Sequence, residues 1–284
     1  MALARLFGVG EETERSEETE RRRAKKGQTA QESAALGSAC LQDGDYDAAI
    51  EHFKTSIGQR ESGDVEGRID LGGAFEAAER PSEALRQYRI ASRLQEGSAE
   101  PLLGASQLYK RSGRYRESIA ELERALELEP RNAFLHFKLA EIYRETKQFE
   151  RALEAATAAA AASPSDSFYH FWVADLLSEM GRFEDALAPF RQALELSPGD
   201  DYYYFRVGLA FWGAGKPEEA IRAIRLASDL DPDKALYHGA LAAFLRAAGH
   251  AQEAQLEQGA AERMDAYDRE ELQRALEKVG LTGG

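Results

Sequence analysis

Small and bulky apolar residues alternate along the chain in a pattern that returns at a fixed interval. The stretch GRYRESIAELERALELEP, Gly113–Pro130, reappears 68 residues later as GRFEDALAPFRQALELSP, Gly181–Pro198. Stepping by half that interval resolves three columns of small residues. The first reads Gly37, Gly72, Ser106, Ala140, Ala174, Gly208 and Ala242. The second reads Ala49, Ala84, Ser118, Ala152, Ala186, Ala220 and Ala254, and the third Ser56, Ala91, Ala125, Ala159, Ala193, Ala227 and Ala261. The step is 34 residues throughout, apart from one step of 35 between the first two copies. Bulky residues fill the intervals. Cys40, Phe75, Tyr109, Tyr143, Leu177, Phe211 and Leu245 stand between the first two columns. Phe53, Tyr88, Leu122, Ala156, Phe190, Ile224 and Gln258 stand four residues beyond the second. Two helices come close only where small side chains leave room for a facing backbone or a large knob. The spacing therefore predicts a hairpin of two helices in each copy, and an all-α chain.

The turns are legible as well. Gly44, Gly113, Gly181, Gly215 and Gly249 share one column, where a helix C-terminus favours a residue that tolerates positive φ. Glu79 and Lys147 interrupt that column, so those two turns are expected to close differently. Pro130, Pro164, Pro198 and Pro232 mark the end of the second helix. Glu61, Glu96 and Ala266 replace them in the first two copies and the last, as befits terminal repeats.

This series of small and large residues, running through Ala and Phe to Pro, resembles the tetratricopeptide repeat family. The resemblance covers residues 30–266 as seven repeats: 30–64, 65–98, 99–132, 133–166, 167–200, 201–234 and 235–266. Repeats three to six match closely. The fourth motif position departs from the family's frequent Trp and reads Ser33, Arg68, Leu102, His136, His170, Tyr204 and His238. The resemblance implies a right-handed superhelical solenoid of helix-turn-helix repeats. One repeat does not stand alone. Ordering its backbone costs about 1–2 kcal/mol per residue, and its few large side chains return about 1.5–3 kcal/mol each. Stacking on neighbours supplies the rest.

The ends differ from the middle. Residues 267–284 are expected to form a capping helix and a short tail. Leu272, Ala275, Leu276 and Val279 make one apolar stripe there, Asp268 with Glu271 has the spacing of a capping box, and Gly280 suits a stop. Residues 1–29 carry dense mixed charge, which suggests disorder or a frayed helical extension. Docking of LARLF on a partner or on the chain itself remains open.

Net charge of −14 argues against nucleic acid as a partner, since a binder needs a basic face to release counterions. The one basic run, Arg21–Lys26, directly follows an acidic one. No apolar run reaches membrane-spanning length, and MALARLFGVG turns acidic too soon for a secretory signal. A soluble, cytoplasmic protein without membrane insertion is the expectation. A single cysteine, Cys40, excludes an intramolecular disulfide and a cysteine-built zinc site.

No motif carries chemistry. His136, His170 and His238 recur every 34 residues, apart from Tyr204, but stacked helices lie about 8–10 Å apart, far beyond the roughly 2.0–2.1 Å of a zinc–nitrogen bond. They are expected in a core column. WGAGKPEE, Trp212–Glu219, lacks the first Gly and the hydroxyl of a phosphate loop. The carboxylate pairs Glu141/Glu145 and Asp175/Glu179 sit one turn apart, as on a solvated helix face. Acid–base work would require a pocket that shifts a pKa. No catalytic residue, cofactor or metal is expected, and the chain reads as a non-enzyme.

In the resembling family the first helix of each repeat lines the concave groove, through its second, fifth, ninth, twelfth and thirteenth positions. Carried onto this sequence, these give Phe134, Phe137, Glu141, Arg144 and Glu145 in repeat four. Repeat five gives Phe168, Phe171, Asp175 and Glu179, and repeat six gives Tyr202, Phe205 and Trp212. The aromatics are either binding anchors or inter-repeat core. As anchors, Phe137, Phe171 and Phe205 would form an apolar ladder, and the flanking acids would favour Lys or Arg between a partner's apolar anchors. The carboxylate clamp of some family members is not expected, because Glu141 and Asp175 stand where it needs neutral or basic groups. The resemblance thus implies an adaptor that binds a peptide or helical segment of a partner protein, mainly at repeats four to six. The alternative is a structural scaffold or a self-associating spacer in a larger assembly.

Overall fold

The computed structural model describes residues 29–60, 64–264 and 269–281. Expectations for residues 1–28, including the basic run and LARLF, and for Asp268 fall outside these. The described backbone is helical and contains no strand. Repeat one holds α1, residues 29–42, and α2, Tyr46–Gln59. Repeat two holds α3, Val65–Ala77, and α4, Pro81–Leu94; repeat three holds α5, Glu100–Arg111, and α6, Tyr115–Leu128. Then come α7, Ala133–Glu145, with α8, Phe149–Ala162, and α9, Ser167–Glu179, with α10, Phe183–Leu196. Repeat six is α11, Asp201–Gly213, and α12, Pro217–Leu230; repeat seven is α13, Ala235–Ala247, and α14, Ala251–Glu262. A last helix, α15, spans Arg269–Lys278. The chain divides into two compact units, residues 1–130 with repeats one to three and residues 131–284 with repeats four to seven.

In both units the small columns let the helices of a hairpin touch. A Cβ placed on Gly72 would lie 2.6 Å from the Tyr88 ring, and one on Gly104 2.7 Å from it. Tyr88 therefore seats its ring between the first helices of repeats two and three, a position that only glycine on both sides permits. Gly208 faces Ile224 in the same way, at 2.5 Å. Repeat three solves the problem with polar atoms. Its two small positions are Ser106 and Ser118, whose hydroxyls meet at 2.8 Å, and Ser118 Oγ also donates to the Ser106 carbonyl at 2.7 Å. Both residues are buried, and this pairing satisfies hydroxyls that would otherwise cost stability.

The hairpin turns correct one expectation. Glu79 and Lys147 adopt φ +57°, and the column glycines Gly44, Gly113, Gly181, Gly215 and Gly249 lie between +70° and +88°. All seven turns thus close in the left-handed conformation. The reason is the hydrogen bond that spans the turn. The N–H of Arg80 donates to the Phe75 carbonyl at 2.8 Å and that of Gln148 to the Tyr143 carbonyl at 2.8 Å, matching Arg114 to Tyr109 at 2.9 Å. Tertiary packing of the hairpin imposes this geometry on residues that adopt it at a cost of about 1–2 kcal/mol.

The fourth-position histidines do not sit in the core as expected. All three are half-buried, and His170 and His238 fasten the loop between repeats. His170 Nε2 donates to the Pro164 carbonyl at 2.9 Å and His238 Nε2 to the Pro232 carbonyl at 3.0 Å. The alanine-rich α8 is fully engaged. Ala152, Ala155, Ala156, Ala159 and Ala160 are all buried. Phe137, Tyr169, Trp172 and Val173 pack with Ala159 and Ala160, so first-helix aromatics supply the bulk that α8 lacks.

Two stability outcomes follow from this packing. Ala186 is fully buried in the second small column, so Ala186→Leu should lower stability by about 1–3 kcal/mol in thermal or denaturant unfolding. Lys147→Gly should raise it by up to about 1 kcal/mol, because glycine removes the left-handed strain but adds unfolded-state entropy. An unchanged midpoint for Ala186→Leu would contradict the column alignment.

Candidate functional site

The first helices of repeats four, five and six begin alike. Asn132 and Asp166 cap α7 and α9, and each Oδ1 accepts from the backbone N–H of the second helical residue, Phe134 and Phe168, at 3.0 Å. Asp200 caps α11 by accepting from the Tyr203 N–H at 2.9 Å. The caps fix where each helix starts, and so place Phe134, Phe168 and Tyr202 at one position of the first turn. These three rings are 43%, 39% and 36% exposed. One turn further on, Phe137, Phe171 and Phe205 are only 8%, 8% and 2% exposed. The exposed series is thus the second-position one, whereas the fifth-position rings are inter-repeat core.

The two series interlock. Phe137 meets Phe168 of the next repeat edge-on with centroids 5.0 Å apart, and Phe171 meets Tyr202 at 5.8 Å. Phe137 and Phe171 each back the exposed ring of the following repeat, whereas Phe205 meets the buried Tyr237 of repeat seven. Phe137 also meets Trp172 at 4.9 Å, and Phe171 stacks on Tyr203 at 4.4 Å. Trp212 is drawn away from the strip and stacks on Phe244 of repeat seven at 4.5 Å.

The carboxylates on this face are engaged rather than simply solvated. Asp175 is 5% exposed. Arg144 reaches it from repeat four, with 3.2 Å between Nη2 and Oδ2, and Arg206 pairs with it from repeat six. Arg144 also binds Glu179 at 2.6 Å, and Lys138 binds Glu141 at 2.8 Å. Glu145 is exposed at the end of α7. The same cations cover the rings: Lys138 lies 5.1 Å from the Phe134 centroid, Arg144 5.0 Å from Trp172, and Arg206 5.8 Å from Tyr202. Burial alone would lower the pKa of Arg206, but the Asp175 carboxylate, the Tyr202 hydroxyl and Glu179 together outweigh it and the pKa is raised. Lys138, Trp172 and Arg206 share the sixth position of their repeats. The sequence reading passed over that position, although the 34-residue spacing of two cations and a Trp was available as a signal.

Further along, the buried Tyr237 donates its hydroxyl to Asp201, which Lys234 also pairs at 3.4 Å. Burial raises the pKa of the Asp201 carboxyl, but the Tyr237 hydroxyl and the Lys234 ammonium outweigh this and hold it below its ordinary value. This contact ties repeat six to repeat seven. Among the described residues, no group of three or more His, Cys, Asp or Glu is placed to hold a metal, and no helix is long and apolar enough to cross a membrane.

The tetratricopeptide repeat family matches residues 34–101, 103–167 and 174–235, well over half of the chain. The chain belongs to this family. No curated protein matches the sequence. Among solved structures, YrrB, described as a tetratricopeptide repeat protein with an unusual peptide-binding site, is similar at 23% identity and TM-score 0.54. The match covers 66% of this chain and 96% of that one. MamA is similar at 21% identity and TM-score 0.53, covering 59% and 98%. A tetratricopeptide repeat protein from Parabacteroides merdae is similar at 17% identity and TM-score 0.57, covering 89% and 99%. These likenesses establish the shared fold. Tetratricopeptide arrays are protein-interaction scaffolds that use the face formed by their repeats.

The ion network gives a testable consequence. Asp175→Ala leaves Arg206 facing a buried site without its anion and Arg144 with Glu179 alone, and should destabilise the unit by about 3 kcal/mol in denaturant unfolding. The loss should shrink when Arg206→Met is added. Additive losses would show that the two residues are not coupled.

Proposed function

We propose that this tetratricopeptide repeat protein is an adaptor that binds an apolar-anchored segment of a partner protein on the first helices of repeats four to six. The observation that carries this reading is the exposed series Phe134, Phe168 and Tyr202, repeated at one helical position and held rigid by buried rings behind it. Rigid aromatics with packed supports make good interface anchors, since little side-chain entropy is lost on binding. Asp175 and Glu179 are spent on ion pairs to Arg144 of the preceding repeat and Glu141 on Lys138 of its own helix, which also favours an interaction role over acid–base catalysis. Apolar contact is therefore the main driver, and a requirement for Lys or Arg in the partner is weakened. The lining comprises Phe134, Lys138, Phe168, Trp172, Tyr202 and Arg206.

Binding and stability separate the two aromatic series. Phe168→Ala and Tyr202→Ala should lower stability by no more than about 1 kcal/mol, and should weaken at least tenfold the binding of a peptide selected from a displayed library on the unmodified protein. Phe137→Ala, Phe171→Ala and Phe205→Ala should instead cost about 3–5 kcal/mol. Undiminished peptide binding by the exposed-ring variants would sink the reading. Failure to select any peptide, together with concentration-dependent self-assembly, would favour a scaffold.

A further inference from the structure

The seat of α15 differs from that of the other helices in its unit. The first helices α9, α11 and α13 each rest on the second helix of the preceding repeat, namely α8, α10 and α12. By that rule α15 would rest on α14. It packs instead against α13 and reaches α11, both of them first helices. Leu272 and Leu276 are buried in one cluster with Phe205, Leu209, Tyr237 and Leu241, and Ala275 and Val279 pack at its margin. Between α15 and α11 lies a cleft of about 210 Å³, walled by Tyr202, Phe205, Arg206 and Leu209 on one side and by Glu271, Arg274, Ala275 and Lys278 on the other. The helix thus occupies the face that carries Phe134, Phe168 and Tyr202, at the repeat-six end of the strip.

The sequence of α14 shows why a cap is not required there. AQEAQLEQGAAE places Gln252, Glu253, Gln255 and Leu256 in solvent, and only Ala254 and Ala261 are buried. Apart from Leu256, the outer side of α14 is polar or small, as suits the end of an array. The apolar stripe of α15 is then available for another surface, and the one it covers is that of α11 and α13.

We infer that α15 is a ligand bound in cis: the face of repeats six and seven is a binding site for an amphipathic helix with two leucines one turn apart, and a partner helix of that pattern displaces α15. The inference rests on the partner-binding reading above, which it deepens by giving the partner's form and its competitor. Helix-in-groove recognition uses apolar anchors at this spacing. Charge does not decide the seat, because α15 brings Glu271 but also Arg274 and Lys278 to the cleft beside Arg206, so the apolar anchors carry the contact. Covalent attachment through residues 265–268 gives α15 an effective concentration that short tethers set on the order of mM. A helix added in trans therefore binds the intact chain weakly until α15 is disabled.

The test uses the full chain and a fluorescein-labelled synthetic peptide of residues 268–281, followed by anisotropy. Two variants disable α15: Leu272→Ala/Leu276→Ala removes its anchors, and Gln273→Pro breaks the helix at an exposed position that does not line the cleft. Both should bind the peptide at least tenfold more tightly than the intact chain, and Tyr202→Ala added to either should weaken that binding. Equal affinity for intact and disabled chains, or no binding to any, overturns the inference. Loss of the cooperative thermal transition in both variants also overturns it, because α15 would then be part of the array's core. A library-selected peptide that binds the intact chain and ignores both α15 variants overturns the inference alone. If that peptide is unaffected by Phe168→Ala and Tyr202→Ala while residues 268–281 still bind the disabled chains, the partner reading falls and the cis ligand stands.

Discussion

Close approach of paired helices is the constraint on which the rest of the structure depends. Where Gly stands in the first small column, a bulky ring or branched chain from the second helix occupies the space, as Tyr88 does against Gly72 and Ile224 against Gly208; Tyr88 also meets Gly104 of the next repeat. At these glycines the distance leaves no room for a methyl group, so the hairpin angle there is fixed by backbone-to-side-chain contact. That contact also sets the turns. Once the two helices are seated, the linking residue must be left-handed, and Glu79 and Lys147 accept that conformation as the column glycines do.

Regular hairpins place the same helical position of successive repeats side by side, and the interaction face follows from this. A ring at the fifth position of one repeat meets a ring at the second position of the next, with Phe137 behind Phe168 and Phe171 behind Tyr202. A carboxylate at the ninth position of repeat five lies between arginines from the repeats on either side. The face is therefore cross-braced by aromatic contacts and by charge. A buried ion triad of this kind contributes little net stability, but it excludes shifted registers of repeats four to six, which would leave Asp175 unpaired.

The last helix extends the same logic to the end of the unit. The outer side of α14 is polar or small apart from Leu256, and α15 seats its apolar stripe elsewhere. Its leucines are buried against Phe205 and Leu209 of the first-helix face, which shows the kind of shape that this surface accommodates.

Much of this was written in the sequence. Three small columns and their bulky counterparts determine seven helical hairpins, because the local rule that small must face large repeats at a spacing too regular to arise otherwise. Glycines mark five of the seven turns and prolines mark four repeat ends, but the left-handed conformation of Glu79 and Lys147 was not legible. What the sequence left undecided was which aromatics are covered. Phe134 and Phe137 are both phenylalanines on one helix face, and only the next repeat's position buries the second and exposes the first. Likewise Asp175 and Glu179 read as a solvated pair until arginines from two other repeats arrive, 31 residues away on each side of Asp175. The stripe on α15 was legible, but its seat was not. An amphipathic helix specifies that one side will be covered, whereas the choice among competing apolar surfaces is made only by the assembled unit.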